Sequence, residues 1–478
     1  MQGCKNYQEK LFLSFRLSDK VPKSNFYRRL KEVLDLSFIR RQTAKYYGKE
    51  GQKSIDSEIF FKLMLIGYLE NLNSDRKIIE HASMRMDMLY FLGYDVDEEL
   101  PWHSTLSRTR NLFGEEVFLN LFRKILSMCV EQGMVCGKRQ AVDSAFIKAN
   151  AAMDSLVERE LCQDSSDYFH QLSGNSDSHR EDKNTQPQSK KHSHKYVSTT
   201  DNDARVSQKQ GKLPALNYLG QISVDTQSHI ICGAMADFAD KKDSDCTQAI
   251  VGQTVHSMNQ NHITVEEVLA DTGYSSGKSL RYLESVQITA YIPTHGSYKA
   301  NREGFVYNAQ EDCYICSQGK KVRFTGIKID NGRTTTAREY HTRVEDCAGC
   351  PLKASCANKR GIKTITDSCD KVYYDRTYKR MKTSKGKKMS RLRAATVEPV
   401  IGTLLHFRGM KKVYTKGLSL ANKHVLMAAM AYNIKKLLAH LSARSSAISI
   451  NKIAAYLHNA LYSEVLVCFV PACCLDKN

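Results

Sequence analysis

Lys138-Arg139-Gln140-Ala141-Val142-Asp143-Ser144-Ala145-Phe146-Ile147-Lys148-Ala149-Asn150 reads as a short β-strand with one acid at its centre. Val142, Phe146 and Ile147 suit a pleated, half-buried surface, while Ala141, Asp143 and Ala145 alternate on one face. A carboxylate on a core strand is costly to bury unless it meets a cation or a hydrogen-bond donor. An edge-strand Asp in water gives the same local pattern, so the stretch asks for partners elsewhere in the chain.

Outward from that strand, the clearest unit runs from Val265 to Pro293. Val265–Asp271 is a strand ending on an acid, Thr272–Ser276 a turn with a serine available to cap, and Lys278–Leu283 a helix. Ile288–Pro293 is the next strand. This order predicts a βαβ crossover with parallel strands, whose functional groups gather beyond the strands' carboxyl ends, where Asp271 falls. Asn217–Asp225 and His229–Ala234 predict a hairpin, turning at Thr226-Gln227-Ser228. With the Asp143 strand it makes a three-stranded antiparallel unit. Asp237, Asp240, Asp243 and Asp245 follow, and read as caps or solvated acids.

The chain has 478 residues, 42% hydrophobic, and a formal net charge of +19. That length predicts two to four units and a real core, and the charge predicts a polyanionic partner. From Lys371 to His424 there are 15 Lys and Arg against Asp375 and Glu398, a net +13, interleaved with Tyr373, Tyr374, Tyr378, Phe407 and Tyr414. A solvated charged face explains such a run less well than a nucleic-acid groove. No apolar run approaches the roughly 18 residues of a membrane span. Lys5, Lys10 and Arg16 interrupt any signal-peptide pattern. Fifteen cysteines without export signals indicate reduced thiols and a cytoplasmic protein.

Residues 1–135 read as a helical, helix-turn-helix-like DNA-binding domain. Ser54–Glu58 supplies helix-start chemistry, Asn73-Ser74-Asp75 caps a second helix, and Ser104 or Thr105 a third that projects Arg108 and Arg110. The first part of a catalytic core spans 136–299. Within it, 162–199 is polar and reads as a disordered insertion, with His170, His179, His192 and His194 solvated rather than metal-binding. The rest of the core spans 367–441, with a basic helix and a final amphipathic helix from about Leu418 to Leu441, and 442–478 forms a tail. Between the two parts, residues 300–366 form a cysteine-rich insertion. Cys313-Tyr314-Ile315-Cys316 and Cys347-Ala348-Gly349-Cys350 are two CxxC knuckles, with Cys356 close behind, a set suited to tetrahedral Zn²⁺. Reduced or redox-reactive thiols are the other reading.

Asp143, Asp271 and Glu398 are separated by 128 and 127 residues, so only folding unites them. If united, three carboxylates can hold two Mg²⁺ (or Mn²⁺) ions, which also take substrate phosphates. At this point the chain resembles the DDE-type transposases of bacterial insertion sequences. The carriers are Phe60–Tyr94 with His103-Ser104-Thr105-Leu106-Ser107-Arg108, Val142-Asp143-Ser144, Asp201–Arg205, Ala270-Asp271-Thr272-Gly273-Tyr274, and Val397-Glu398-Pro399-Val400 with Phe407-Arg408-Gly409.

The resemblance implies an α+β, RNase H-like mixed sheet flanked by helices. It also implies metal-dependent strand cleavage and transfer by Asp143, Asp271 and Glu398. The implied partners are double-stranded DNA, as terminal inverted repeats and as target, bound by a homodimer on paired ends near the bacterial nucleoid. Relatives often carry an Arg four residues before the Glu and a Lys seven after; here those places hold Ala394 and Leu405. Arg391, Arg393, His406 and Arg408, with Lys411 and Lys412, are the candidates for the same phosphate-binding work. A nuclease that only hydrolyses DNA, and a non-catalytic zinc-containing DNA-binding protein derived from a transposase, are the rival readings.

Overall fold

The computed structural model describes residues 14–48, 54–158, 196–208, 213–296, 300–329 and 336–467, with Lys5, Glu50, Gly211 and Tyr298 besides, and side chains as far as 444. The polar insertion expected at 162–199, with its four histidines, lies almost wholly outside these residues. Its last residues, Tyr196–Ser198, pair antiparallel with Leu156–Glu158.

The first helices pack around aromatic side chains. Helix α1 (Phe26–Val33) precedes α2 (Ser57–Leu69), which starts where its sequence says it should: the Asp56 side chain accepts the Glu58 amide. Helix α2 is apolar on every side and accordingly buried. Helices α3 (Asp75–Ser83), α4 (His103–Leu112) and α5 (Glu115–Glu131) follow. The start of α4 differs from expectation. Ser104 and Thr105 lie inside the helix, Trp102 takes the N-cap position, and no side chain caps it.

The sheet follows the predicted order. Strands β1 (Arg139–Lys148), β2 (Ala215–Asp225) and β3 (Ile231–Phe238) form the antiparallel unit, with Asp143 opposite Ile222. Helix α6 (Asp243–Asn259) leads to β4 (Glu267–Leu269), α7 (Gly277–Ser285) and β5 (Thr289–Tyr291). Strand β4 pairs parallel with both β1 and β5, as the βαβ pattern requires, and Ser276 caps α7 by accepting the Ser279 amide. The strand order is therefore β3-β2-β1-β4-β5, three antiparallel strands and then two parallel ones, with Arg205–Ser207 added beside the start of β2.

The insertion is a second sheet, a five-stranded antiparallel meander that its composition did not announce. Its strands are β6 (Phe305–Asn308), β7 (Cys313–Cys316), β8 (Lys321–Ile329), β9 (Thr336–His341) and β10 (Thr364–Ser368). It has its own small core of Tyr314, Val322, Tyr340 and Ile365. The chain then returns through α8 (Lys371–Lys382) and α9 (Ser384–Phe407), in which Pro399 is an interior residue.

The last helix, α10, does not stop near Leu441 but runs from Leu418 to Val467. No Gly or Pro interrupts that segment, and its Ala, Leu and Lys favour continuation. Its buried residues join the first helices and the sheet in one continuous core. Two asparagines fasten it to β3. Asn433 accepts the Ile231 amide at 3.0 Å and donates to the Ile231 carbonyl at 2.9 Å, and Asn422 accepts the Ala236 amide at 3.1 Å. An edge strand is thereby covered by a helix. Among the described residues no helix is long and apolar enough to cross a membrane.

His424 on α10 is buried between Tyr68 of α2 and the Gly409 carbonyl, at 2.7 and 3.1 Å from its two ring nitrogens. Burial lowers its pKa from 6.5 to about 4. Below pH 6.5 the unfolded chain then binds more protons than the native one, so stability falls as pH drops toward 4. The loss is about 2–3 kcal/mol. Urea unfolding of wild type and His424→Gln at several pH values checks this: the variant should show a flatter pH dependence, and equal slopes would refute the assignment.

Candidate active site

Asp143 sits at the middle of β1, where its carboxylate faces α9. Arg393 of α9 donates to Asp143 Oδ2 at 2.7 Å across 250 residues of sequence, and both side chains are only 17% exposed. The other terminal nitrogen of the same guanidinium stands 3.7 Å from Glu398 Oε1. One cation therefore bridges two of the three predicted acids. Helix α9 is held against the sheet by a further contact, Lys385 with Glu267 of β4 at 2.8 Å, and Arg139 of β1 reaches the same acid at 2.5 Å.

Asp271 follows β4 by two residues and accepts the Gly273 amide at 2.9 Å, so it does cap the short turn Thr272–Tyr274. It also faces the other acids. A Cβ at Gly273 would lie 2.9 Å from Asp243 Oδ2 and 3.0 Å from Asp271 Oδ1, so these oxygens are within about 6 Å of each other. Glycine is what lets the two carboxylates approach.

Asp243, passed over in the sequence as one acid among four, is thus a member of this group. It opens α6, and Gln221 of β2 donates to its Oδ1 at 3.1 Å, while the buried Tyr274 hydroxyl donates to Gln221 Oε1. The signal for it was Gln221 itself, a fully buried amide in the middle of an apolar strand, which requires polar partners. Asp245 is the capping acid expected there, accepting the Lys242 amide at 3.3 Å.

The electrostatics follow from crowding. Burial pushes the Asp143 carboxyl up to about 6; Asp271 and Asp243 push the same way, while the Ser144 amide and Arg393 pull it back. Burial also raises Asp243, with Asp271 adding to the rise. Burial and the fields of Asp243, Asp143 and Asp271 keep the Tyr274 hydroxyl protonated. Like charges gathered on buried ground favour a cation there.

The oxygen-rich donor set fits a hard divalent ion in chemical type, and a guanidinium charge already occupies the space between Asp143 and Glu398. Among the described residues, no group of three or more His, Cys, Asp or Glu side chains is closed up to ion-holding spacing.

The predicted DNA-contacting residues divide. Arg108, Arg391, His406 and Lys411 are exposed, as are Lys379, Lys382, Lys387 and Lys388 along α8 and α9. Lys412 lies beside the Tyr414 ring, 5.4 Å from its centroid. Arg393 is engaged with the acids. Arg110 turns inward instead, paired with Asp75 at 2.5 Å and 11% exposed, and its carbonyl accepts the Lys423 ammonium. Arg408 is half-buried and donates to the Leu69 carbonyl at 3.2 Å, tying the end of α9 to α2. Of the five insertion cysteines, Cys316, Cys347, Cys350 and Cys356 line one small cavity, and Cys313 does not.

Removing Arg393 tests this arrangement. A carboxyl whose folded pKa exceeds its unfolded value weakens the fold as pH rises, so ionised Asp143 opposes folding above about pH 6 and Arg393 relieves it. Arg393→Ala should lose about 1–3 kcal/mol at pH 7 and less at pH 5, read by chemical unfolding in chelator. Adding Asp143→Asn should recover most of the loss. A deficit that ignores pH would make Arg393 a packing residue only.

Two family models match the chain, one described as a transposase domain (DUF772), over residues 15–112, and one as a transposase DDE domain, over residues 315–438. No curated protein matches. Among solved structures, the piggyBac transposase synaptic complex with hairpin DNA is 10% identical over 88% of this chain and 75% of that one, with a TM-score of 0.31. The Mos1 transposase paired-end complex with left transposon end is 9% identical over 57% and 73%, with a TM-score of 0.16.

Proposed function

The chain belongs to the DDE-type transposases, and from that premise we propose that it cuts DNA at both ends of an insertion sequence and joins the freed 3′ ends to target DNA using Asp143, Asp271 and Glu398. The observation that carries this reading is the shared guanidinium: Arg393 links Asp143 to Glu398, while Asp271 acts on Asp143 through its charge.

Divalent metal dependence goes with the family, and two Mg²⁺ (or Mn²⁺) ions held by the three acids would activate the attacking oxygen and stabilise the leaving one. The chain's own side chains do the rest. Ionised Asp143, Asp271 and Glu398 supply the negative field that would hold the ions, and Arg393 now lies against two of these carboxylates. Its planar, always-charged guanidinium would suit a DNA phosphate close to the scissile bond. Asp243, steadied by Gln221, which the Tyr274 hydroxyl in turn holds, adds its charge to the same field.

The exposed cations of α8 and α9, Lys387, Lys388 and Arg391 among them, run along the backbone of the bound duplex, as does Arg108 of α4. Double-stranded end and target DNA are the ligands, two protomers pair two ends, and the bacterial nucleoid is the site of action. Residues 1–135 serve as the end-binding part, and 136–299 with 367–441 as the catalytic core. Zn²⁺ in the insertion is a separate matter from this chemistry, because its thiols belong to the insertion and not to the sheet that carries Asp143.

The test is cleavage and joining of end-bearing DNA in Mg²⁺. Asp143→Asn, Asp271→Asn and Glu398→Gln should each lose at least about 1,000-fold in rate, the scale of several kcal/mol of lost charge stabilisation, with gel-shift affinity kept. Full joining by Asp143→Asn would end the reading. Asp243→Asn should fall between these and wild type. Lys387→Ala and Arg391→Ala should instead weaken binding and reduce the log–log salt slope by about 1 each; an unchanged slope would move the duplex elsewhere.

A further inference from the structure

The insertion holds five cysteines, and the strand geometry sorts them. Cys313 and Cys316 lie three apart on β7, so their side chains leave opposite faces of the strand and do not form a knuckle. Cys313 is buried on its face, its Sγ 3.6 Å from Glu311 Oε2. Burial and that carboxylate raise its thiol pKa, which keeps the sulfur protonated.

Cys316 is placed differently. It ends β7 at a tight turn through Gly319, whose φ is 73°, and the Lys320 amide donates to Cys316 Sγ at 3.3 Å. Across a gap in sequence, Cys347 sits in the short helix Val344–Ala348, Cys350 in the turn that follows it, and Cys356 at the end of the helix Lys353–Cys356. All four surround one cavity of about 30 Å³, with Lys320, Lys353 and Lys363 on its walls. That space suits a single ion or a water or two.

We propose that Cys316, Cys347, Cys350 and Cys356 form one tetrathiolate site for Zn²⁺, and that Cys313 is no part of it. Binding replaces four S–H protons, which pass to solvent, so affinity rises with pH. Four thiolates around Zn²⁺ leave a charge of −2, and three lysines at the cavity offset it. The sulfurs are not drawn to ion-holding spacing here; a bound ion would be held by these four thiolates and would draw them together.

The site has structural work to do. Neither short helix between β9 and β10 buries a residue, and the insertion's core is four side chains. So small a unit needs a staple. The metal would fix the segment that carries Cys347, Cys350 and Cys356 to the β7–β8 turn. The assignment does not depend on the role of the three acids, since it is read without DNA.

The experiment is metal analysis of the purified full chain, with Cys313→Ser and Cys350→Ser alongside. Wild type and Cys313→Ser should carry about one zinc per chain, and Cys350→Ser should lose it. Should Cys350→Ser not fold, wild-type protein stripped by chelator and titrated with Co²⁺ alone gives the answer. Intense tetrahedral thiolate absorption is expected, equal in Cys313→Ser. Zinc-free wild type with no cobalt bands, or a Cys313→Ser chain that loses metal as Cys350→Ser does, overturns the proposal.

Discussion

A carboxylate at the centre of the middle strand must have a positive charge beside it, and much of this molecule is arranged to bring one. Asp143 is nearly enclosed, and burial is the largest of the causes that carry its pKa above the usual carboxylate range. The neutralising group follows the second sheet in the chain, on a helix 250 residues later. Helix α9 is pinned by that contact in the middle and by Lys385 on Glu267 near its start. Two acids and one guanidinium thus set the position of the basic face that lies beside them. Removing a charge from such a site costs far more than building the pair gains, so the arrangement fixes geometry rather than adding stability.

Local pattern made the central sheet readable. The alternation in β1, the hairpin of β2 and β3, and the strand–turn–helix–strand unit around Asp271 each carry short-range signals, and together they imply the strand order. The cap at Asp56 and the cap at Ser276 were equally local. What the sequence hid was pairing between distant side chains. Arg110 looked like a DNA contact because its partner, Asp75, lies in another helix. Asp243 looked like a cap because its neighbours Gly273 and Gln221 come from two other elements. Arg393, one position before Ala394, is long enough to reach both Asp143 and Glu398.

The sheet in the insertion went unread for a different reason. Its cysteines and charges drew attention away from the period-two pattern of Lys321–Ile329, where Val322, Phe324 and Ile327 interrupt polar residues in a strand with a register shift near Phe324. The resulting meander is thinly cored, with aromatic rings such as Tyr314 and Tyr340 packed edge to face at 5.2 Å. Spacing alone also paired Cys313 with Cys316, because a CxxC written in one-letter code does not reveal whether the backbone between them is a turn or an extended strand.

The covering of β3 by α10 has a consequence for biosynthesis. Strand β3 emerges from the ribosome some 190 residues before Asn422 and Asn433, which occupy its outer hydrogen-bonding groups. At about 5–20 residues per second, the nascent sheet keeps an open, apolar rim for roughly ten seconds or more. During that interval it is a template for any neighbouring extended chain, and the last helix acts as the lock that ends the exposure.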